Sequence, residues 1–508
     1  MIYYLNCLPD EAWWGGVVAH GMQMPLTKSS DYELNGTINR TDNQYNALFV
    51  SSRGRYIYVE NGCILRFEAG GQITLSEVKG TADISEGHGT LKGALRAASA
   101  KHFAHGKAVP EEMILRPQYS TWVEMLRNVS SEKLERYAGS IIESGMDPGI
   151  MIVDDGWMRD YGDWRFDESK IADPEGLMKH LHELGFKLVL WVCPFVNEAV
   201  PDFQELAKSG ALVRDRTGKI AMRRWWNGTS AVLDMSSPAA QTWLRSQLDD
   251  LKAMGTDGFK FDAGDAGYYD SDDLTYGNVT PNDQSKLWAQ FAAEYEYSEL
   301  RACVGLGGYP VMQRLADKNS CWEGKSGILS LIPNMLQAGL SGYPYCCPDM
   351  VGGGQEADFG DGRQHDDELM VRSCQCAALM PSIQFSYAVW NRSSKDVRSI
   401  VRNCVRLRGK YGGYLRSLLA QAAKLNDPIM RHMEYEFPAQ GLSDVSDQFM
   451  LGDKLLVAPV LYKGMRERSV ILPSDCRWKY VPDGAVYEGG QTVRVGAPLE
   501  VLPYFERL

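Results

Sequence analysis

The hydrophobic rhythm of the chain changes twice. Up to about Glu112, short apolar runs such as Tyr56-Ile57-Tyr58-Val59 and Cys63-Ile64-Leu65-Arg66-Phe67 are separated by the turn pairs Asn61-Gly62 and Gly70-Gly71. Short strands at this spacing predict an N-terminal β-sandwich over residues 1–112. From Met113 onward, nearly continuous apolar runs alternate with stretches of helical spacing. Gly149-Ile150-Met151-Ile152-Val153 is apolar throughout and ends in Asp154-Asp155, the pattern of a buried parallel strand. Asp173-Pro174 then offers an N-cap and a proline for the first turn of a helix. Leu177, Met178, Leu181 and Leu184 share one face, and Gly185 stops it. The same alternation follows: a strand over 187–193, a helix opened by Ser237-Pro238 with Trp243, Leu244, Leu248 and Leu251 on one face, and a strand Gly258-Phe259-Lys260-Phe261 that ends at Asp262.

Further strands are expected at 113–115, 300–306, 342–347 and 381–385, with a piece near Ser320-Cys321-Trp322. Ser130-Ser131-Glu132 opens another helix. About eight β/α units in roughly 300 residues have the size and rhythm of a (β/α)8 TIM barrel over 113–427; a doubly wound sheet is the alternative. Beyond Asp427 the chain is β-rich again, through Leu455-Leu456-Val457 and Ser469-Val470-Ile471-Leu472. This predicts a small C-terminal β domain over 428–508.

The 508 residues are too many for one hydrophobic core, which agrees with the three segments. A net charge of −12 argues against nucleic acid and anionic membranes as partners. No run of about 18 apolar residues suggests a membrane span, and no basic stretch followed by an apolar one opens the chain. The 11 cysteines include no C-x-x-C pair, and several lie within apolar runs. That pattern fits reduced thiols in a cytoplasmic protein. His102 and His105 lack a matching acid cluster, so neither a metal site nor a cofactor is expected. His180 and His182 fall beside the polar face of their helix and are expected in solvent.

Candidate chemistry sits at the strand ends. Asp154 and Asp155 follow strand two, Asp262 and Asp265 follow strand four, and Asp349 follows strand seven. In a barrel these ends share one face, where the active site is built. Any one of these acids could equally cap a helix or pair with an arginine; it is their convergence that points to chemistry. A retaining glycosidase needs two carboxyl groups about 5–5.5 Å apart, one to attack the sugar and one to protonate the leaving oxygen.

Four segments, in order and over nearly the whole chain, resemble glycoside hydrolase family 31. They are Ile152-Val153-Asp154-Asp155-Gly156-Trp157, Gly258 to Asp265, Gly339-Leu340-Ser341-Gly342-Tyr343-Pro344 leading to Asp349-Met350-Val351-Gly352-Gly353, and the stretch 451–460. The resemblance implies a β-sandwich, a (β/α)8 barrel and C-terminal β structure. It also implies hydrolysis of α-glycosides with retention. Asp262 occupies the acid of the family's Phe-Lys-x-Asp motif and is the implied nucleophile, kept ionised by Lys260 or Arg301. The family's W-x-G-D pattern, with an aromatic residue five positions later, is met by Arg314-Leu315-Ala316-Asp317 followed by Trp322. Asp317 is therefore the implied acid/base, with Glu323 of Trp322-Glu323-Gly324-Lys325 in reserve. Arg301 matches the family's sugar-binding arginine.

Pro381-Ser382-Ile383-Gln384-Phe385-Ser386 stands where many members carry P-I-M-R-x-H, so Ser386 takes the place of a sugar-binding histidine. With Asp-Asp-Gly-Trp at strand two and the residues around Asp317, the chain is most similar to the subgroup of α-galactosidases and the myogenesis-regulating glycosidase. The expected substrate is then an oligosaccharide or other α-glycoside. Asp154 is the expected hydroxyl acceptor with Asp155 beside it, Trp191 lies beneath the ring, Trp225 or Trp226 forms a wall, and Asp349 completes the site. With 13 tryptophans, core packing is the plainer reading of any single one. Trp13-Trp14 is expected to plug the sandwich. An α-glucosidase, an α-xylosidase or a transglycosylase are the alternatives within the family, and an inactive carbohydrate-binding protein the alternative outside catalysis. The N-terminal part is short for the family, so loops around the site could come from a second copy in a homo-oligomer.

Overall fold

The computed structural model describes residues 2–359 and 365–508. Eight parallel strands form its central sheet: β1 Gln118–Ser120, β2 Ile150–Val153, β3 Lys187–Val192, β4 Gly258–Phe261, β5 Glu299–Leu300, β6 Met312–Arg314, β7 Cys346–Cys347 and β8 Gln384–Phe385. Their order around the sheet is β7-β6-β5-β4-β3-β2-β1-β8. A parallel bridge between Met350 and Gln384, with Val351 N donating to Gln384 O at 2.7 Å, joins the chain just past β7 to β8 and closes the ring. This is a (β/α)8 barrel.

Its inner and outer faces follow from the alternation of side chains along each strand. On β4, Phe259 and Phe261 point outward to the helix layer, where Phe261 packs against Trp288, Phe291 and Tyr295. Lys260 and Asp262 therefore point into the barrel. β3 pairs with β4 so that Trp191 lies opposite Lys260 and Val192 opposite Phe261. Asp262 N extends the ladder by donating to Val192 O at 2.9 Å. The helices start where the sequence signals them. Asp173 accepts from Gly176 N at 3.0 Å to cap Pro174–Glu183, and Ser130 accepts from Lys133 N at 3.3 Å to cap Ser131–Glu143. Gly185, at φ +94°, turns the first of these back toward β3.

Before the barrel, two antiparallel four-stranded sheets carry Trp13 and Trp14 in the strand Trp13–Val17. Both tryptophans are buried, Trp13 between the sheets and Trp14 against the helix Leu91–His102. That helix departs from the all-β expectation; its Leu91, Ala94, Leu95 and Ala98 cover Leu48, Val50 and Tyr56. Gln44 then seats this part on the barrel, donating to the carbonyls of Arg301 at 2.9 Å and Arg314 at 2.7 Å. After the barrel, a six-stranded sheet and a two-stranded ribbon enclose a core around Trp478 and Phe505. Buried Arg372, on the barrel helix Asp367–Ala378, donates to the carbonyls of Met465, Ala497 and Val501 and so holds the C-terminal part in place.

Several expected strands lie elsewhere. Residues 113–115 belong to a helical turn, Glu112–Leu115, and β1 begins only after Pro117. Three apolar residues in a row do not distinguish strand from helix. The strand expected over 300–306 is confined to Glu299–Leu300. The piece near Ser320-Cys321-Trp322 lies in a loop, where Trp322 donates its indole N–H to Asp366 at 2.9 Å. The sixth strand is Met312–Arg314 instead; it was masked by Gln313 and Arg314, polar residues that are nonetheless buried. His182 stays partly in solvent and also bonds Asp257 at 2.8 Å. Among the described residues no helix is long and apolar enough to cross a membrane.

Candidate active site

The C-terminal ends of the strands open into a cavity of about 360 Å³. Asp154, Asp155, Trp191, Trp226, Lys260, Asp262, Arg301 and Asp317 all line it. They come from five strand ends and one hairpin, Met222–Trp225 with Gly228–Val232, which folds over the mouth.

Asp262 sits at its centre, one residue past β4. Trp191 Nε1 donates to Oδ2 at 3.0 Å, while Arg301 Nε and the Ala263 amide donate to Oδ1, each at 2.7 Å. Burial by itself would raise the pKa of this carboxyl. The charges of Arg301, Lys260 and Arg314, with the Trp191 bond, reverse that and hold it well below the usual carboxylate range. Ala263 follows at φ +53°, an uncommon conformation for a residue with a Cβ, and this bend turns its amide back onto Asp262. Arg301 is itself fully engaged: Nη1 and Nη2 bond Asp265 at 3.0 and 2.6 Å, and Nη1 also reaches Asp42 O at 2.8 Å. The residue expected to bind sugar thus serves first to orient two acids.

On the neighbouring wall, Asp154 Oδ2 accepts from Lys260 Nζ at 2.7 Å and from Ser120 Oγ at 2.9 Å. Burial disfavours the Lys260 ammonium, but Asp154, Asp262 and Glu299 together outweigh it and Lys260 holds its proton more tightly than usual. Asp155 differs. Its Oδ2 accepts from Asn227 Nδ2 at 2.9 Å and Tyr161 OH at 3.1 Å and pairs with the Arg127 guanidinium at 3.2 Å, whereas its buried Oδ1 has no hydrogen-bond partner among the described residues. Burial pushes the Asp155 carboxyl up to about 6, against the pull of Arg127.

Asp317 lies three residues beyond β6 on the opposite wall and is the more exposed acid, with 27% of its side chain accessible. Arg314 Nη1 donates to its Oδ1 at 2.7 Å. Arg314 is itself buried in the barrel.

Four candidates named from the sequence stay outside the cavity. Asp349 lies behind Asp317, accepting from Arg314 Nη1 at 2.6 Å and from Lys318 N at 2.7 Å. Ser386 is fully buried at the end of β8, where its hydroxyl accepts the Val123 amide at 2.6 Å. Its short side chain is spent on the β1 loop and does not reach the mouth. The reserve acid Glu323 is likewise absent from the wall, and Trp225 stacks on Phe195 inside the hairpin while Trp226 faces the opening. Sequence reasoning missed Trp122, Arg127, Gln355, Glu356, Tyr268 and Asp42, all on the wall. They lie on loops and single helical turns with no periodic pattern; only the Trp-x-x-x-x-Arg spacing of Trp122 and Arg127, whose guanidinium stacks 5.1 Å from the Trp122 ring, could have drawn notice. Asp270, Asp272 and Asp273 also cluster nearby, but Arg223 pairs with two of them.

Comparisons with known proteins agree with this geometry. Residues 115–418 match the family model described as the glycosyl hydrolases family 31 TIM-barrel domain, and 426–508 match the family's C-terminal domain. The chain is 34% identical over 390 residues to the myogenesis-regulating glycosidase of Mus musculus, covering 75% of this chain and 54% of that one. It is 24% identical over 469 residues to the α-xylosidase XylQ of Lactiplantibacillus pentosus, covering 87% and 60%. A solved α-xylosidase from a soil metagenome, complexed with xylose, superposes with a TM-score of 0.85 at 22% identity and covers 100% of this chain and 79% of its own. The chain spans about half the length of the first curated relatives it matches.

Proposed function

The chain belongs to glycosyl hydrolase family 31, and from that premise we propose that the barrel mouth is the active site of a retaining, exo-acting α-glycoside hydrolase. The observation that carries this reading is the contrast between the two acids. Asp262 is buried and held ionised by Arg301 and Trp191; Asp317, across the cavity, is open to the space a leaving group would occupy. Asp262 attacks the anomeric carbon and forms a glycosyl ester, while Asp317 gives its proton to the departing oxygen. Asp317 then takes a proton from water, whose oxygen displaces Asp262 and releases the sugar with its original configuration. The cavity volume suits one terminal sugar ring with part of an aglycone.

We assign an α-galactoside as the preferred substrate. Asp155 supports it: a buried carboxylate oxygen without a hydrogen-bond partner among the described residues, beside Asp154, offers an acceptor to one hydroxyl of the ring. A polar site of this kind rejects a sugar that leaves it unpaired. No described residue of β8 lines the cavity, which leaves that side without the hydroxyl-binding group expected of glucoside- and xyloside-cleaving members. The test is a panel of p-nitrophenyl α-glycosides (galactoside, glucoside, xyloside and N-acetylgalactosaminide) assayed with wild type and Asp262→Asn. Cleavage of the galactoside alone, lost in the variant, is the expected result. Preference for the xyloside or glucoside would overturn the assignment of the sugar but not of the chemistry, and absence of cleavage across the panel would favour an inactive binder.

A further inference from the structure

The mechanism above gives no work to the buried charges behind Asp317. Arg314 is 1% exposed and meets three carboxylates at once. Its Nη1 lies 2.7 Å from Asp317 Oδ1 and 2.6 Å from Asp349 Oδ1, and its Nε lies 3.2 Å from Glu299 Oε1. A single guanidinium nitrogen is thus shared between an acid on the cavity wall and an acid sealed behind it. Asp349 itself is held at φ +80°, a conformation disfavoured for any residue with a Cβ, and is fixed there by the Lys318 amide. The loop that follows β7 also grips the chain next to Asp317. Gly354 N donates to Lys318 O at 2.9 Å, and Gln355 Nε2 donates to Asp317 O at 3.1 Å. A Cβ on Gly354 would stand 3.2 Å from the Asp317 carboxyl carbon.

We infer that Asp349 is a positioning residue for Asp317: through the shared Arg314 it balances the guanidinium charge, so that Asp317 can carry the proton it must donate. This rests on the reading of Asp317 as acid/base. The physical argument is electrostatic. An arginine in contact with a carboxyl group favours the ionised form, which is the wrong form for a general acid. With Asp349 ionised, Arg314 is already neutralised and its hold on the Asp317 charge is weakened. When Asp317 gives up its proton to the leaving group, two carboxylates then face one guanidinium, and the buried Asp349 is the one driven toward its neutral form. Burial pushes Asp349 up to about 7, partly offset by Arg314 and reinforced by Asp317, which places its ionisation where such an exchange of charge can operate. The other charges facing the cluster are Glu299 on β5, Lys260 and Asp262 on β4, Lys318, and Asp42 from the N-terminal sheets. Glu299 faces Arg314 at Nε, and its Oε2 accepts from Gln384 Nε2 at 2.8 Å, so Asp349 and Asp317 are the pair that competes directly for Nη1.

The test compares Asp349→Asn with wild type on two substrates. A methyl or phenyl α-glycoside of whichever sugar the wild type cleaves needs the acid; the 2,4-dinitrophenyl glycoside leaves without it. Loss of the Asp349 charge is expected to move the alkaline limb of kcat/KM on the first substrate down by about one pH unit. On the dinitrophenyl glycoside the limb is expected to stay where it is and the rate to be largely retained. An unmoved limb, with the two substrates slowed equally, would mean a purely structural role and overturn the inference. A second measurement does not depend on turnover or on Asp349→Asn folding: NMR titration of carboxyl-13C aspartate in wild type and Asp317→Asn. The Asp349 midpoint is expected to fall in the variant, because a like charge has been removed; an unchanged midpoint would overturn the coupling. Failure of the glycosidase reading itself would show separately, as no cleavage by the wild type.

Discussion

Trp191 donates its indole N–H to Asp262 at 3.0 Å, and the two meet because β3 and β4 pair in a register that sets Trp191 opposite Lys260, two positions before the acid. A tryptophan expected to lie beneath a sugar ring is therefore also a hydrogen-bond donor to the proposed nucleophile. Because the bond ends on a buried charge, it is worth more than a bond between neutral groups.

Replacing Trp191 with phenylalanine keeps most of the aromatic surface and removes the donor. The expected result is a fall in kcat/KM of about 10- to 100-fold. The acid limb of the profile should move upward, because Asp262 loses a bond that favours its ionised form. A pH–rate series measures both effects.

Asp262→Asn removes the attacking oxygen's charge while preserving the shape of the site. Turnover is expected to fall by about 10⁴-fold or more. The folded state should survive, since the Asn carbonyl oxygen can still accept from Arg301 Nε and the Ala263 amide, and only the Trp191 bond is lost. Circular dichroism with a thermal scan would establish that the lost activity is chemical.

Trp226 is 45% exposed at the mouth, with the Arg301 guanidinium 5.7 Å from its ring. It holds no backbone in place and offers a flat face to a bound glycoside. Trp226→Ala is expected to raise KM by about 10-fold, with kcat changed little, from the loss of ~1–1.5 kcal/mol of stacking. A change confined to kcat would contradict a binding role.

His432 gives a stability prediction far from the mouth. It is buried between the first and last parts of the chain, 5.0 Å from the Trp14 ring, and its Nδ1 accepts the Glu434 amide at 3.1 Å. Burial lowers its proton affinity to a value of about 3. The unfolded chain protonates this residue at about 6.5. Between those values the unfolded state therefore binds the extra proton. Stability is fully present above pH 6.5 and falls as the pH drops toward 3, at up to about 1.4 kcal/mol per pH unit. His432→Asn, which can still accept the amide, is expected to flatten this part of the curve; denaturant melts at pH 7.5, 6 and 5 would measure it.

By itself the sequence determined the rhythm of the barrel, the strands β2, β3 and β4, and the acids at their ends. Those are local facts: an apolar run of strand length, a proline after a capping residue, and a carboxylate where the run stops. It did not determine β6, whose Gln313 and Arg314 look like surface residues until Glu299, Asp317 and Asp349 surround the guanidinium. Nor did it separate Trp225 from Trp226, which alternate to opposite sides of one hairpin. Ser386 illustrates the same limit: its position at the end of β8 was legible, but the Val123 amide that occupies its hydroxyl belongs to a different loop, 263 positions away in the chain. Trp122, Arg127 and Gln355 reach the wall in the same way, through loops whose paths are set by contacts distant in sequence. Strand ends are placed by periodicity, which a short window of residues contains. What surrounds each acid is placed by closure of the barrel and by the parts packed against it, and only the tertiary structure decides that.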